Sequence, residues 1–463
     1  MRKRDKIVSN IDIPLFTAVI LLMMIGIITL YSVTHTPISA NLLDFNTKHG
    51  KQLLWILASL ILGGLLLIID ANVYKKFAEY IYVITILLLI LVLFTPPIHG
   101  AKSWLGIGGL GIQPAEFAKI STALLLAKSI EQINPKLQST KSIFQFLAVL
   151  IIPIILVGLQ PDAGTLLVFS SYFFVIYREG ISFDPIIILI VNRFRAVRIQ
   201  STWLGNHFIP FFFVIIVLGL LSLYLSANTF HFFGFSFSGI SLLYFIITLF
   251  AIFIMVILLL WGYARYRKNN LLILLGAYVF CILVISGITF AFNHLAAPHQ
   301  KNRIELVLGL KQDPDGTDYN RTRAMTAVGS GGLYGKGYLQ STISNVKSNH
   351  VPESETDFIF SPFAEERGLI GTIFLLSLYL FIILRIFYIA ERQRSAFFRI
   401  YAYCVGMIFF YHIGINIGMN IGLAPVIGIP LPFMSYGGSA ILSFTIMIFI
   451  LLKLDSQRKD VLR

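Results

Sequence analysis

Apolar residues run along this 463-residue chain in long, nearly unbroken blocks, without the alternation of a half-buried strand or the three-to-four spacing of a surface helix. The blocks lie near residues 13–33, 52–70, 77–95, 113–130, 144–160, 162–178, 207–225, 239–262, 271–292, 368–390, 400–418 and 437–454. Crossing a bilayer takes about 20 apolar residues, so the pattern predicts about 12 transmembrane segments. In lipid every backbone N–H and C=O must be bonded within the protein, and continuous apolar runs meet that demand as helices. The predicted fold class is an all-α polytopic membrane protein. The first block follows MRKRDK, has no small-residue cleavage site and is too long for a signal-peptide core, so it is expected to persist as a helix of the mature chain.

Composition agrees with this pattern: hydrophobic residues make up 57% of the chain and charged residues 13%. Lysine and arginine in the short loops (MRKRDK, residues 74–76, 192–198, 264–270 and 391–394, and the SQRKDVLR tail) all fall on one side of the predicted topology. Such loops face the cytoplasm, so both termini are expected there. The net charge of +14 follows from this asymmetry and from attraction to anionic membrane lipids, and needs no nucleic-acid partner. Cys281 and Cys404 fall inside apolar blocks and read as small packing residues; no disulfide or metal site is suggested.

One long polar stretch, residues 293–367, interrupts the apolar blocks, and the count of preceding spans makes it a large extracytoplasmic loop. Glycines at GSGGLYGKG, 329–337, suggest tight turns within it. The loop carries Arg303, Lys311, Arg321, Arg323, Lys336 and Lys347, although external loops near spans are usually poor in such residues. A phosphate or pyrophosphate partner would account for them. So would pairing with Glu305, Asp313, Asp315 and Asp318 on a solvated loop, and composition leaves both open.

Ionisable groups in or beside spans are costly and therefore candidates for chemistry or for buried pairs. Glu116 and Lys119 in QPAEFAK share a helix face at i, i+3, either as a structural pair or with Lys119 turned to an anionic substrate. Asp162 in QPDAGT is a helix cap or a site residue. Asp357 sits in the otherwise apolar TDFIFSPF, where partial desolvation suits a general base, although capping or salt bridging fits equally well. Glu365 and Glu366 follow it closely, and His412 reads as a bundle histidine, with a proton relay as the alternative. Prolines and glycines in LAPVIGIPLPFMSYGGSA, 423–440, suggest irregular backbone lining a cavity. No Walker A loop, HExxH helix or GxSxG elbow occurs.

Several of these stretches together resemble the SEDS family of shape, elongation, division and sporulation proteins, which includes RodA and FtsW. The resemblance rests on QPAEFAK (113–119), QPDAGT (160–165), QKNRIE (300–305), AVGSGGLYGKG (327–337), VPESETDFIF with AEERG (351–368) and NIGMNIGLAPVIGIPLPFMSYGGS (416–439), in family order. It implies a peptidoglycan glycosyltransferase of the cytoplasmic (inner) membrane. Such an enzyme polymerises lipid II, the undecaprenyl-diphosphate-linked disaccharide peptide, on the outer face by inverting transfer. It also implies a class B penicillin-binding protein as partner and a divalent cation, Mg or Mn, as a possible cofactor, with no organic cofactor. The family's catalytic aspartate falls on Asp357, and its substrate-binding positions fall on Glu116, Lys119, Arg303 and Lys336. The passage from Arg303 to Gly316 is closer to the elongation, or RodA, pattern. The other readings are a division-type, FtsW-like member, a lipid-linked precursor flippase and a non-catalytic scaffold. Departures from the pattern are Glu355, where a histidine is common, and Arg323, where a glutamine is common. Family members usually have ten spans, so residues 207–262 look like an inserted transmembrane hairpin within a single domain covering 1–463.

Overall fold

The computed structural model describes residues 11–35, 44–96, 102–107, 110–132, 140–184, 203–226, 229–232, 235–261, 264–295, 301, 305, 310, 319–344 and 353–458. Every predicted span coincides with helix. In chain order these are α1 (Ile13–Thr34), α2 (Lys48–Ile68), α3 (Ala71–Val92), α4 (Pro114–Gln132), α5 (Thr140–Leu159), α6 (Ala163–Phe169) and α7 (Ser171–Arg178). A short turn of helix, α8 (Trp203–Asn206), precedes α9 (Phe208–Ser226), α10 (Gly239–Trp261) and α11 (Ala264–Phe290). They are followed by α12 (Tyr319–Ser330), α13 (Phe360–Glu391), α14 (Ala396–Asn420) and α15 (Gly438–Ser456). Among the described residues seven helices are long and apolar enough to cross a membrane by length and composition, and shorter apolar helices accompany them. The chain is an all-α polytopic membrane protein.

Local chemistry sets the helix ends. Asp12 caps α1 by accepting from the Leu15 N–H at 3.1 Å, with Pro14 in the first turn. Thr47 caps α2 through the Gly50 N–H at 3.2 Å. The single block predicted at 162–178 is two helices, because Ser170 turns its N–H (3.1 Å) and hydroxyl (2.6 Å) back onto the Leu167 carbonyl. Helices α3 and α4 carry charges that a lone span would tolerate poorly, and they neutralise them against each other: Lys75 meets Glu131 at 2.6 Å and Lys128 meets Glu79 at 2.9 Å. Two short hairpins were not foreseen, β1–β2 (Leu105–Ile107 with Leu110–Ile112) and β3–β4 (Thr229–Phe232 with Phe235–Ser238). The stretch expected to be loop also contains α12.

The chain divides into two compact units. The first comprises Met1–Asn134, Phe144–Val175 and Tyr319–Arg463. In it α15 packs on α2, α3 on α4, α13 on α14 and α1, and α14 on α4. Gly63 of α2 lies directly beneath the Phe449 ring of α15, where a Cβ would come within 2.7 Å of that ring. Phe409, Phe433 and Phe444 cluster in the interior, with the Phe409 and Phe444 ring centres 5.3 Å apart. Outward residues of α2, such as Leu54, Leu57, Ile61 and Leu65, are exposed, as a lipid-facing surface requires.

Opposite ends of this first unit carry different chemistry. Helix α13 starts at the Asp357 turn and breaks its regular backbone at Gly368 (φ 64°). At its far end Arg385 donates to Asp12 at 3.0 and 2.9 Å, and Arg392 bridges Asp12 (2.7 Å) and Asp455. That ionic clasp joins the starts or ends of α1, α13 and α15.

The second unit comprises Pro135–Ile143 and Ile176–Asp318. Within it α9 and α10 pack on α11 around Ile215, Cys281 and Ile285. Hydroxyl contacts reinforce the bundle, Tyr244 with Ser286 at 3.0 Å and Thr248 with Tyr278 at 2.9 Å.

Candidate active site

The site is best built outward from α14, an apolar helix that places His412, Asn416 and Asn420 on one face at four-residue intervals. All three are buried. Together they reach α4, the Asp357 turn and the Ile429–Pro430 segment.

His412 accounts for the ion pair on α4. Lys119 has 0% exposure, and its Nζ lies 2.8 Å from Glu116 Oε1 and 2.8 Å from His412 Nε2. The opposite ring nitrogen, Nδ1, is 3.1 Å from the Pro430 carbonyl, which can only accept. The proton therefore sits on Nδ1, and Nε2 accepts from the lysine. Ser443 of α15 donates to the other Glu116 oxygen at 2.7 Å, and the Phe444 ring lies under the ammonium with its centre 5.4 Å away. A buried charge pair is tolerated when its remaining hydrogen-bonding capacity is met in this way.

Asn416 and Asn420 hold the turn that carries Asp357. Three successive carbonyls of this turn are bonded from outside it: Glu355 O by the Tyr436 N–H (2.9 Å), Thr356 O by the Ser435 hydroxyl (2.6 Å), and Asp357 O by the Asn416 amide (2.8 Å). The Asp357 carboxylate faces Gly428, where a Cβ would lie 3.4 Å from Oδ2. Gly428 also lines a cavity of about 20 Å³, room for about one water. Gln113, Glu116, Thr165, His412, Ile429 and Pro430 contribute to its lining. The segment Gly428–Pro430 thus shares a cavity with Glu116 and, at Gly428, lies beside the Asp357 carboxylate.

Lys336 belongs to a separate cluster. Its Nζ binds Glu365 at 2.6 Å, and Glu365 also accepts from Thr342 N (2.9 Å), Ile343 N (3.0 Å), Ser344 N (3.0 Å) and Ser344 Oγ (2.6 Å). Glu366 accepts from Leu339 N at 3.2 Å and from Ser32. Asp162 caps α6 through Thr165 N at 2.9 Å and also accepts from Gln113 at 2.9 Å, which ties the cap to the cavity wall. Glu355 pairs with Lys48 at 2.7 Å, and Arg323 stacks over Tyr319 at 5.0 Å. Arg303 lies outside the described residues. Among the described residues no three His, Cys, Asp or Glu side chains converge on a common point as a metal cage would need.

The residues that organise this site and were not singled out in the sequence are Asn416, Asn420, Ser435 and Ser443. Their signal was present in part: three polar residues four apart on an otherwise apolar span mark a face that bonds to protein instead of lipid.

A family model of cell cycle proteins, FTSW_RODA_SPOVE, matches residues 13–205 and 247–460. The break in the match takes in α9, the β3–β4 hairpin and the start of α10. The peptidoglycan glycosyltransferase MrdB of Escherichia coli (strain K12) is 30% identical over 395 residues, covering 84% of this chain and 81% of MrdB. The peptidoglycan glycosyltransferase RodA of Treponema pallidum (strain Nichols) is 28% identical over 465 residues, covering 97% of this chain and 99% of that one. Among solved structures, a chain from a peptidoglycan synthase complex that coordinates polymerization and crosslinking has the same fold, with a TM-score of 0.63 and 22% identity over 97% of this chain and 99% of that chain. The match extends along most of the sequence and takes in both the Lys119 and the Asp357 ends of the site, and the chain belongs to the FTSW_RODA_SPOVE family of cell cycle proteins.

Proposed function

We infer that this chain is a peptidoglycan glycosyltransferase that polymerises lipid II into glycan strands during cell-wall elongation. The observation that carries the reading is the Asp357 carboxylate, held by a turn bonded at three successive carbonyls and facing the Gly428 segment. A carboxylate fixed in this way can take the proton of an acceptor sugar hydroxyl. The hydroxyl oxygen then attacks the anomeric carbon of the donor, and its bond to the undecaprenyl pyrophosphate breaks with inversion. General-base catalysis of this kind contributes roughly 10² to 10⁴ in rate.

Arg303 and Lys336 are the groups we assign to the leaving pyrophosphate. Lys336 keeps a partly exposed side chain beside its Glu365 partner. Lys119 and Glu116 keep the substrate-binding assignment through the wall they support, since Lys119 is sealed and Glu116 lines the cavity beside Gly428–Pro430. Asp357 is the residue that would hold a divalent cation, Mg or Mn, which would supply neutralisation of the leaving group.

In this reading both termini are cytoplasmic, the Asp357 end of the bundle is extracytoplasmic, and the membrane is the cytoplasmic (inner) one. The partner is a class B penicillin-binding protein. Residues 207–262 are an added hairpin for lipid or partner contact, a reading supported by the break in the family match between 205 and 247.

The test is polymerisation of purified lipid II in liposomes with the partner present, comparing the native chain, Asp357→Asn and added chelator. Strands from the native chain that fall by about 10² or more in the variant support the assignment. Equal strands from both move the base elsewhere. Translocation of a labelled lipid with no strands from either favours a flippase.

A further inference from the structure

We propose that Asn416 is a positioning residue for glycosyl transfer, its side-chain amide setting where the Asp357 carboxylate stands relative to the Gly428–Pro430 wall. The proposal rests on the reading of Asp357 given above.

Asn416 has 0% exposure on an apolar helix. A buried amide at such depth is costly unless it is fully bonded, and an aliphatic residue would pack the helix with no such demand. Its two N–H groups have separate partners, Asp357 O at 2.8 Å and Ile429 O at 2.7 Å. Both partners are carbonyl oxygens, which only accept, so the orientation of the amide is fixed and both donors are used. Its own oxygen accepts from Asn420 at 3.3 Å, and Asn420 in turn receives the Ser361 hydroxyl at 2.6 Å.

One planar group therefore bridges the two backbones that flank the Asp357 carboxylate. The next residue of the wall, Pro430, is bonded by His412, and His412 by Lys119. Asn416 thus ties the turn bearing the base to Ile429, and the adjacent Pro430 leads through His412 to the ion pair on α4; Asn420 adds a longer bond, 3.4 Å, to the same Asp357 carbonyl. Moving a reacting group by about 1 Å costs on the order of 10² in rate, a displacement that loss of this bridge permits.

The experiment measures kcat and KM for lipid II polymerisation by the native chain, Asp357→Asn, Asn416→Ala and Asn416→Gln, with the folded fraction read by size exclusion. The expected result is a kcat on the order of 10² lower in Asn416→Ala, with KM and folded fraction near native. Asn416→Gln keeps both N–H groups but sets them one methylene further out. A purely structural bond predicts that any loss follows the folded fraction, since the added methylene crowds a fully buried site, whereas a positioning bond predicts a lowered kcat per folded molecule at native KM. If Asn416→Ala does not fold, the glutamine variant decides alone. Native kcat in Asn416→Gln, or a kcat that falls only in step with the folded fraction, overturns the proposal while Asp357→Asn still blocks polymerisation. If Asp357→Asn polymerises like the native chain, the reading of the site falls and the proposal with it.

Discussion

At the scale of single residues, the deciding fact is that Lys119 and Glu116 are sealed from solvent and from lipid, and depend on His412 and Ser443 to complete their bonding. Removing one partner of a buried pair leaves an uncompensated charge and costs about 3 to 5 kcal/mol, whereas replacing both with apolar residues of similar size is often far cheaper. Glu116→Ala is therefore expected to unfold several degrees earlier than the double variant Glu116→Leu with Lys119→Met, as measured by thermal unfolding in detergent. The opposite order would mean that Lys119 is neutralised by another group. Glu116, Lys119 and Asp357 stand out in the sequence as candidates because charges in apolar surroundings are conspicuous. Asn416 and Asn420 do not, since an uncharged amide does not stand out until its partners, 13 and 59 residues away, are located.

Elements were more legible than sites. All twelve apolar blocks are helical because only helix satisfies the backbone within a single apolar segment. The features the pattern does not show depend on tertiary contacts or single side chains: the Ser170 step between α6 and α7, the two hairpins, and α12 within the long polar stretch. The turn from Lys336 to Ser344 is another such feature. It has no repeating pattern in sequence, yet Glu365 fastens it through Lys336, Thr342, Ile343 and Ser344. Hydrogen bonds to a charged acceptor contribute about 1.5 to 3 kcal/mol each, net, to stability. Glu365→Ala is expected to free residues 336–344 in hydrogen–deuterium exchange while protection of α14 and α15 stays near native. Unchanged exchange across that turn would show that other contacts hold it.

At the scale of the molecule, the Asp12 clasp holds together helices that are far apart in sequence. Burial pushes the Asp12 carboxyl up, but hydrogen bonds from Arg385, the Leu15 N–H and Arg392 outweigh it and hold the pKa below the ordinary value of 3.8. A lowered native pKa means that the stabilisation is fully present above the unfolded value and is lost as pH falls through the native one. Asp12→Asn is thus expected to lower stability by about 1 to 3 kcal/mol at neutral pH. The gap to the native chain should persist down to about pH 4 and close below it, followed by thermal unfolding across that range. A gap that closed between pH 6 and 7 would point to a different titrating group.

The long reach of the Glu116–Ser443 bond, 327 residues, also fixes an order of events during synthesis. When α4 first enters the bilayer, Lys119 and Glu116 have only each other; His412 and Ser443 are still to be translated. The half-made chain must carry this pair through the membrane with its bonding incomplete until the last two helices arrive. A ribosome that stops before α14 leaves a product in which Lys119 and Glu116 lack both of these partners.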